Sequence, residues 1–278
     1  MNDALRYSTP LERALLWTLV LVLVALVLFP FAWLLVMSFK TDQDIFAWPP
    51  RLFFTPTLAN YAALWDGNFP RSFANSAIAS LVSTALAMLI GTPGAYALSR
   101  MSLKAERVLS LLVLASRMAP PIAFTIPYFL VYRRLELLDT LTGLVIVYLT
   151  FNLSLVVWLM RSFFDATPRA LEEAAWIDGA TLLQTFTRIV LPVAGPGLAA
   201  TAILCFLYSW NDFFFALILT RTQAMTAPVA VVNFMQYAGW EWGKIAAGGT
   251  LVMLPVLVFS ILVRRFLIHG MTAGAVKG

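Results

Sequence analysis

Residues 172–192 read EEAAWIDGATLLQTFTRIVLP. The chain around them is 61% hydrophobic, yet this stretch has the charges and caps of a soluble helix pair. Thr167 is placed to cap a helix whose first residue is Pro168, where the missing N–H costs nothing. Good helix formers follow to Asp178. Ala170 and Ala174, four apart, give a small, smooth face, and Arg169 is in reach of Glu172 and Glu173 on the solvent side. Gly179 supplies a stop, because only glycine turns left-handed cheaply. Thr181 with Gln184 makes a capping box for a second helix. Leu182, Leu183, Phe186, Ile189 and Val190 then form one apolar stripe, which Pro192 ends. The reading is helix, glycine bend, helix, at a membrane surface. Such an element is either an amphipathic loop lying on lipid or a rigid protrusion shaped for a groove in another protein.

The rest of the chain says membrane. It has 278 residues, 12% of them charged, against roughly 25% in soluble domains, and a mean hydropathy of +0.84. About 20 apolar residues cross a bilayer, and six runs qualify: 14–39, 72–98, 108–132, 141–163, 195–220 and 245–266. The expected fold is therefore all-α and polytopic, one domain over residues 1–278. The first run is too long for a signal core and no small-x-small site follows it, so it reads as a retained span. An even count puts both termini on one side. Lys and Arg are richer in the segments on that side, including Arg6, Arg13, Arg100, Lys104, Arg107, Arg161, Arg169 and Arg188, which makes it cytoplasmic. The net charge of +5 sits at span ends rather than in one patch, so it does not point to nucleic acid. One cysteine, Cys205, and one histidine, His269, leave no zinc spacing and no Ser-His or Cys-His pair.

Polar residues inside the spans mark a possible path, because they are costly there. Arg117 lies near the middle of the third run, just before Pro120 and Pro121. These prolines cannot donate to the carbonyls of Ser116 and Arg117, so the helix should loosen. Asn152 sits in the middle of the fourth run. Trp210, Asn211 and Asp212 lie in the fifth, beside Phe213, Phe214 and Phe215. Amides, a carboxylate and a guanidinium suit hydroxyl groups, and flat aromatic faces suit the C–H side of a sugar ring. Structural readings stand beside this one: a buried Arg117–Asp212 ion pair, interhelical glue for Asn152 and plain packing for the phenylalanines. In the loop 40–71, prolines 49, 50 and 56 prevent one long helix. Trp48, Trp65, Trp240 and Trp242 suit a membrane interface or an external docking surface.

The spacing from Glu173 to Pro192 carries a resemblance. Glu173-Ala174-Ala175, Gly179, Ile189 and Leu191-Pro192 match the EAA signature of bacterial ABC importer permeases at every fixed position. "SRMAPPIAFTIP", "SWNDFFFALIL" and the C-terminal "GMTAGAVKG" resemble the carbohydrate-uptake branch, the type grouped with maltose-system permeases. The resemblance covers nearly the whole chain. It implies the type I importer transmembrane fold and a coupling segment at 167–192 that docks in a cleft of a cytoplasmic ATPase. Glu173, Ala174, Ala175, Asp178, Gly179, Leu191 and Pro192 would be its coupling positions. It also implies a second homologous permease, two ATPase subunits, an extracytoplasmic solute-binding protein and a sugar or polyol substrate. The location would be the bacterial inner membrane, in contact with its lipid. The ending would reach toward the ATPases.

The chain itself lacks a phosphate loop. Gly243-Lys244 is followed by Ile245, and Ala238 stands where the first glycine belongs. The subunit is then no enzyme and binds no cofactor, with ATP and Mg held by the partner ATPases. The alternative is a secondary transporter driven by an ion gradient. That reading needs intramembrane acids, of which the runs contain only Asp212, and it gives the capped segment no task.

Overall fold

The computed structural model describes residues 9–101, 106–118, 120–236 and 239–275. The chain divides into two compact units, residues 1–67 with 231–251 and residues 68–230 with 252–278.

The first unit begins with α1 (Pro10–Ser38). Thr9 and Glu12 close a capping box at its start, with Glu12 N to Thr9 Oγ1 at 3.3 Å and Thr9 N to Glu12 Oε2 at 2.7 Å. Two short helices follow, α2 (Asp42–Ile45) and α3 (Ala59–Trp65). A polar knot holds this region. Ser38 Oγ and Tyr61 Oη lie 2.7 Å apart, and Asn60 Nδ2 donates to the carbonyls of Ser38 and Lys40. Lys40 is buried against the rings of Trp33 and Phe54, and its Nζ donates to the Arg51 carbonyl at 2.7 Å. The expected prevention of one long helix across 40–71 is met, and Trp48 and Trp65 are exposed.

The second unit is a helical bundle. In chain order it holds α4 (Phe69–Arg100), α5 (Glu106–Met118), α6 (Thr125–Arg134) and α7 (Leu141–Ala166). Then come α8 (Ala170–Ile177), α9 (Leu182–Thr185), α10 (Leu191–Val193), α11 (Gly195–Trp210), α12 (Phe214–Leu219) and α13 (Ala227–Val232), whose last two residues belong to the first unit. The first unit also holds a short hairpin, β1 (Met235–Gln236) with β2 (Gly239–Trp240), and the start of α14 (Trp242–Ala275). α14 continues from the first unit into the second. Side chains from residue 264 onward, the last three residues and the Arg117 side chain lie outside the described residues, so the expectations for His269, the ending and Arg117 do too.

The span count differs from the sequence reading. Among the described residues, four helices are long and apolar enough to cross a membrane: α1, α4, α7 and residues 242–263 of α14. A fifth is added if Leu182–Val193 and Gly195–Trp210, bent by 76°, form one span. The expected run 108–132 is divided. α5 stops at Met118, a 3-10 turn covers Pro121–Phe124, and α6 begins at Thr125. Pro120 and Pro121 supply no N–H, and a residue before proline avoids the helical region. The expected run 195–220 breaks at 211–213, where the Asp212 carboxylate accepts the Phe215 and Ala216 N–H groups and starts α12 anew.

In a membrane, packing rather than water expulsion brings helices together, so small residues sit at the contacts. Gly91 of α4 faces Val156 of α7, and a Cβ at Gly91 would stand 2.8 Å from Val156 Cγ1. Gly197 of α11 faces Phe163, and a Cβ there would stand 2.6 Å from Phe163 Cγ. Gly91→Leu should therefore cost about 1–3 kcal/mol by overpacking. The check is thermal unfolding in detergent, where the paired Gly91→Leu/Val156→Ala variant should recover part of the loss.

Between α6 and α7, the Asp139 carboxylate collects the N–H groups of Arg221, Thr222, Gln223 and Ala224 at 2.9–3.1 Å. Burial alone would raise its pKa, but these four donors bring it well below the usual carboxylate range. A depressed folded pKa gives stability that is complete above the unfolded value, about 3.9. It is lost as pH falls toward the folded one. Asp139→Asn should destabilise the protein at pH 7 by about 1.5–3 kcal/mol, the range for hydrogen bonds to a charged group. The Tm gap between wild type and variant should close below pH 4.

Candidate functional site

Segment 167–192 is built at the end of the bundle where α4 and α7 finish. The expected cap by Thr167 is not made. Thr167 instead ends α7, its hydroxyl donates to the Phe163 carbonyl, and the new helix starts at Ala170. α8 closes as expected at glycine. Gly179 has φ +84°, Gly179 N donates to the Trp176 carbonyl at 3.0 Å and Ala180 N to that of Ala175 at 2.9 Å. These two bonds are the Schellman pattern, and they satisfy carbonyls that a helix end leaves free. The Thr181–Gln184 capping box is present in both directions, 3.3 and 2.8 Å.

Past α9 the chain widens into a π turn, Phe186–Val190, with Leu191 N donating to the Phe186 carbonyl. Pro192 explains it: without an N–H it cannot serve the Arg188 carbonyl, and the ladder shifts by one residue. Leu191 and Pro192 thus stand just before the 76° bend into α11.

The side-chain directions correct two expectations. Glu172 does not face solvent. It is 1% exposed, its Oε1 lies 2.6 Å from Arg100 Nε, and its Oε2 accepts the Tyr96 hydroxyl at 2.6 Å. Arg169 reaches neither glutamate and donates to the Ser99 carbonyl at 3.3 Å. Ala175 is buried with Glu172, whereas Ala170, Glu173, Ala174, Asp178 and Gly179 are exposed. The smooth face is therefore Ala170–Ala174, without Ala175. The expected stripe also divides. Val190 is buried and Phe186 and Ile189 half-buried, Phe186 packing on Tyr96 with ring centroids 4.8 Å apart, while Leu182 and Leu183 point out. With Leu171, Trp176 and Ile177 they leave an apolar surface, Ile177 being 86% and Leu183 70% exposed. Periodicity missed this patch because α9 is only one turn long. Apolar residues beside a bend, where no span needs them, were the signal.

The path candidates fall into two groups. Asn152 is fully buried, and its Nδ2 donates to Ser209 Oγ at 2.8 Å and Ser83 Oγ at 3.3 Å. It links α4, α7 and α11. Trp210 is buried against Phe73 and Phe206, with Nε1 donating to the Val252 carbonyl at 3.0 Å. Both side chains are buried and bonded to other helices. Asn211 and Asp212 are different. They sit at the break after α11 and line an open cleft of about 610 Å³ with Leu155, Leu204, Tyr208 and Phe213. Asp212 accepts the Tyr148 hydroxyl at 3.1 Å, and Asn211 Nδ2 donates to the Leu207 carbonyl.

Residues 83–267 match the family described as binding-protein-dependent transport system inner membrane component. The chain is similar to a probable ABC transporter permease protein of Sinorhizobium fredii, 39% identical over 95% of this chain and 96% of that protein. It is 37% identical to the trehalose transport system permease protein of Mycobacterium tuberculosis, over 96% of this chain and 99% of the relative. In fold it is similar to a chain of a bacterial ABC transporter involved in the import of the acidic polysaccharide alginate. That likeness has a TM-score of 0.77 at 24% identity and covers 93% of this chain and 98% of the other.

Proposed function

We propose a permease for a sugar or polyol, starting from the fact that the chain belongs to the family of binding-protein-dependent transport system inner membrane components. It is the multi-pass membrane subunit of an ABC importer, not an enzyme, and ATP is bound by separate ATPase partners. Such an importer also includes a partner permease and a periplasmic binding protein. The sugar class is supported by the trehalose permease among the relatives.

The proposed plan is one transmembrane domain of six spans, with the divided runs 108–132 and 195–220 counted as crossings. Both termini and segment 167–192 are cytoplasmic. Two ATPase copies hold ATP and Mg. Their closure on ATP moves the coupling segments together, the membrane cavity opens outward, and hydrolysis resets it. This is alternating access by population shift.

The observation that carries the reading is the exposed face of α8 and α9. Glu173, Ala174, Trp176, Ile177 and Leu183 stand out from a helix fixed by a Schellman turn and a capping box. A rigid apolar surface with one carboxylate suits a groove with a basic residue. Glu173→Ala removes an interface charge, which can cost roughly 2–5 kcal/mol. Gly179→Asp strains the turn. Both variants should uncouple vesicle uptake from ATP hydrolysis. Wild-type uptake with intact coupling in both would reject the assignment.

The cleft at Asn211 and Asp212, apolar with a few convergent polar groups, suits a ligand path. Asn211→Ala should lower uptake at unchanged expression, and normal uptake would remove that residue from the path.

A further inference from the structure

Arg100 and Glu172 form a buried charge pair, with side chains 9% and 1% exposed. Its contacts reach further than a pair needs. Arg100 Nη2 donates to the carbonyls of Phe164 at 2.7 Å and Thr167 at 2.9 Å, and Nη1 to Ser99 Oγ at 3.0 Å. Phe164 and Thr167 lie at the end of α7, where the helix dipole is negative, and the Phe164 carbonyl also accepts the Thr167 N–H at 3.0 Å. One guanidinium therefore joins three elements: α4, which carries it, the end of α7 through two carbonyls, and α8 through Glu172. Tyr96, one turn back on α4, holds the other carboxylate oxygen. Ser99 Oγ donates to Asp165 of α7, and Ser99 O accepts from Arg169 at the start of α8.

Without these bonds α8 would hang on the bundle largely through its flanking chain. Eight residues joined through Pro168 and Arg169 form a loose lever. With them, a displacement of α8 is delivered to the ends of α4 and α7 through short, directional, desolvated bonds. A rigid fork of five donors is suited to this and a lysine ammonium is not. Resting on the coupling reading given above, we infer that Arg100, Glu172 and Tyr96 are positioning residues for transport, the link by which motion of the coupling helix enters α4 and α7.

The test uses the complete importer with both permeases, its ATPases and its binding protein, reconstituted in vesicles. Arg100→Lys and Glu172→Gln should lower uptake about 5- to 150-fold, the span of typical coupling between sites. ATP hydrolysis should stop responding to the loaded binding protein. The paired variant Arg100→Met/Glu172→Met leaves no charge buried alone, so its thermal stability should return toward wild type, but transport should stay low. Tyr96→Phe removes one hydroxyl and no charge, and should lower uptake while assembly is unchanged.

A paired variant that transports like wild type would overturn the inference, since the pair would then serve stability only. Normal transport by Arg100→Lys, Glu172→Gln and Tyr96→Phe would do the same. Glu173→Ala, measured in parallel, separates the two claims. If it uncouples transport while the link variants behave normally, only the positioning role fails. If it too transports normally, the coupling assignment fails.

Discussion

The ion pair between Arg100 and Glu172 decides which way the most informative segment of this chain faces. An exposed pair of this kind would contribute little. Here both side chains are desolvated, and removing either would strand the other, a loss of about 3–5 kcal/mol. Glu172 is thereby held inward, and helix geometry does the rest. Ala175, three residues on, lies on the same side and is buried. Glu173, Ala174 and Ile177 fall on the opposite side. The surface that α8 offers to a partner is set from inside the bundle.

A second constraint acts on the bundle: backbone groups away from water must find partners within the protein, and polar side chains in the spans pair where they can. Asn152 spans two serines on neighbouring helices. The Trp210 indole reaches a carbonyl of α14, and Asp212 takes up the free N–H groups where α11 gives way to α12. The break after α11 is tolerated because the backbone N–H groups it frees are taken up by Asp212. Close contacts through Gly91 and Gly197 supply the packing that holds the unit together.

Much of this was legible from residue order. The Thr181–Gln184 box and the Gly179 turn follow from local rules that need no tertiary information, and both occur, whereas Pro192 does not end its helix, which runs on to Val193. The membrane class followed from the apolar runs. What was not legible depended on contacts distant in sequence. Nothing near Glu172 signals that an arginine 72 residues earlier will meet it, so Glu172 and its neighbour Glu173 read alike. Thr167 read as an N-cap, and the end of α7 claimed it. Asn152 and Trp210 looked like path residues because a polar or amphipathic group in a span is costly. Their partners on other helices are invisible to periodicity. The span count drifted for a related reason, since hydropathy runs through 108–132 and 195–220 without registering the breaks.

The direct test of the account is cross-linking from the outward face of α8. Cys205 is buried, so a cysteine at position 177 can be labelled selectively with a short photoactivatable probe in the assembled importer. Ile177→Cys should yield a covalent product with the ATPase subunit, in an amount that changes when ATP is bound. A control cysteine at Leu130, on exposed α6 surface, should yield none. An intact complex in which position 177 gives no ATPase product would contradict the account.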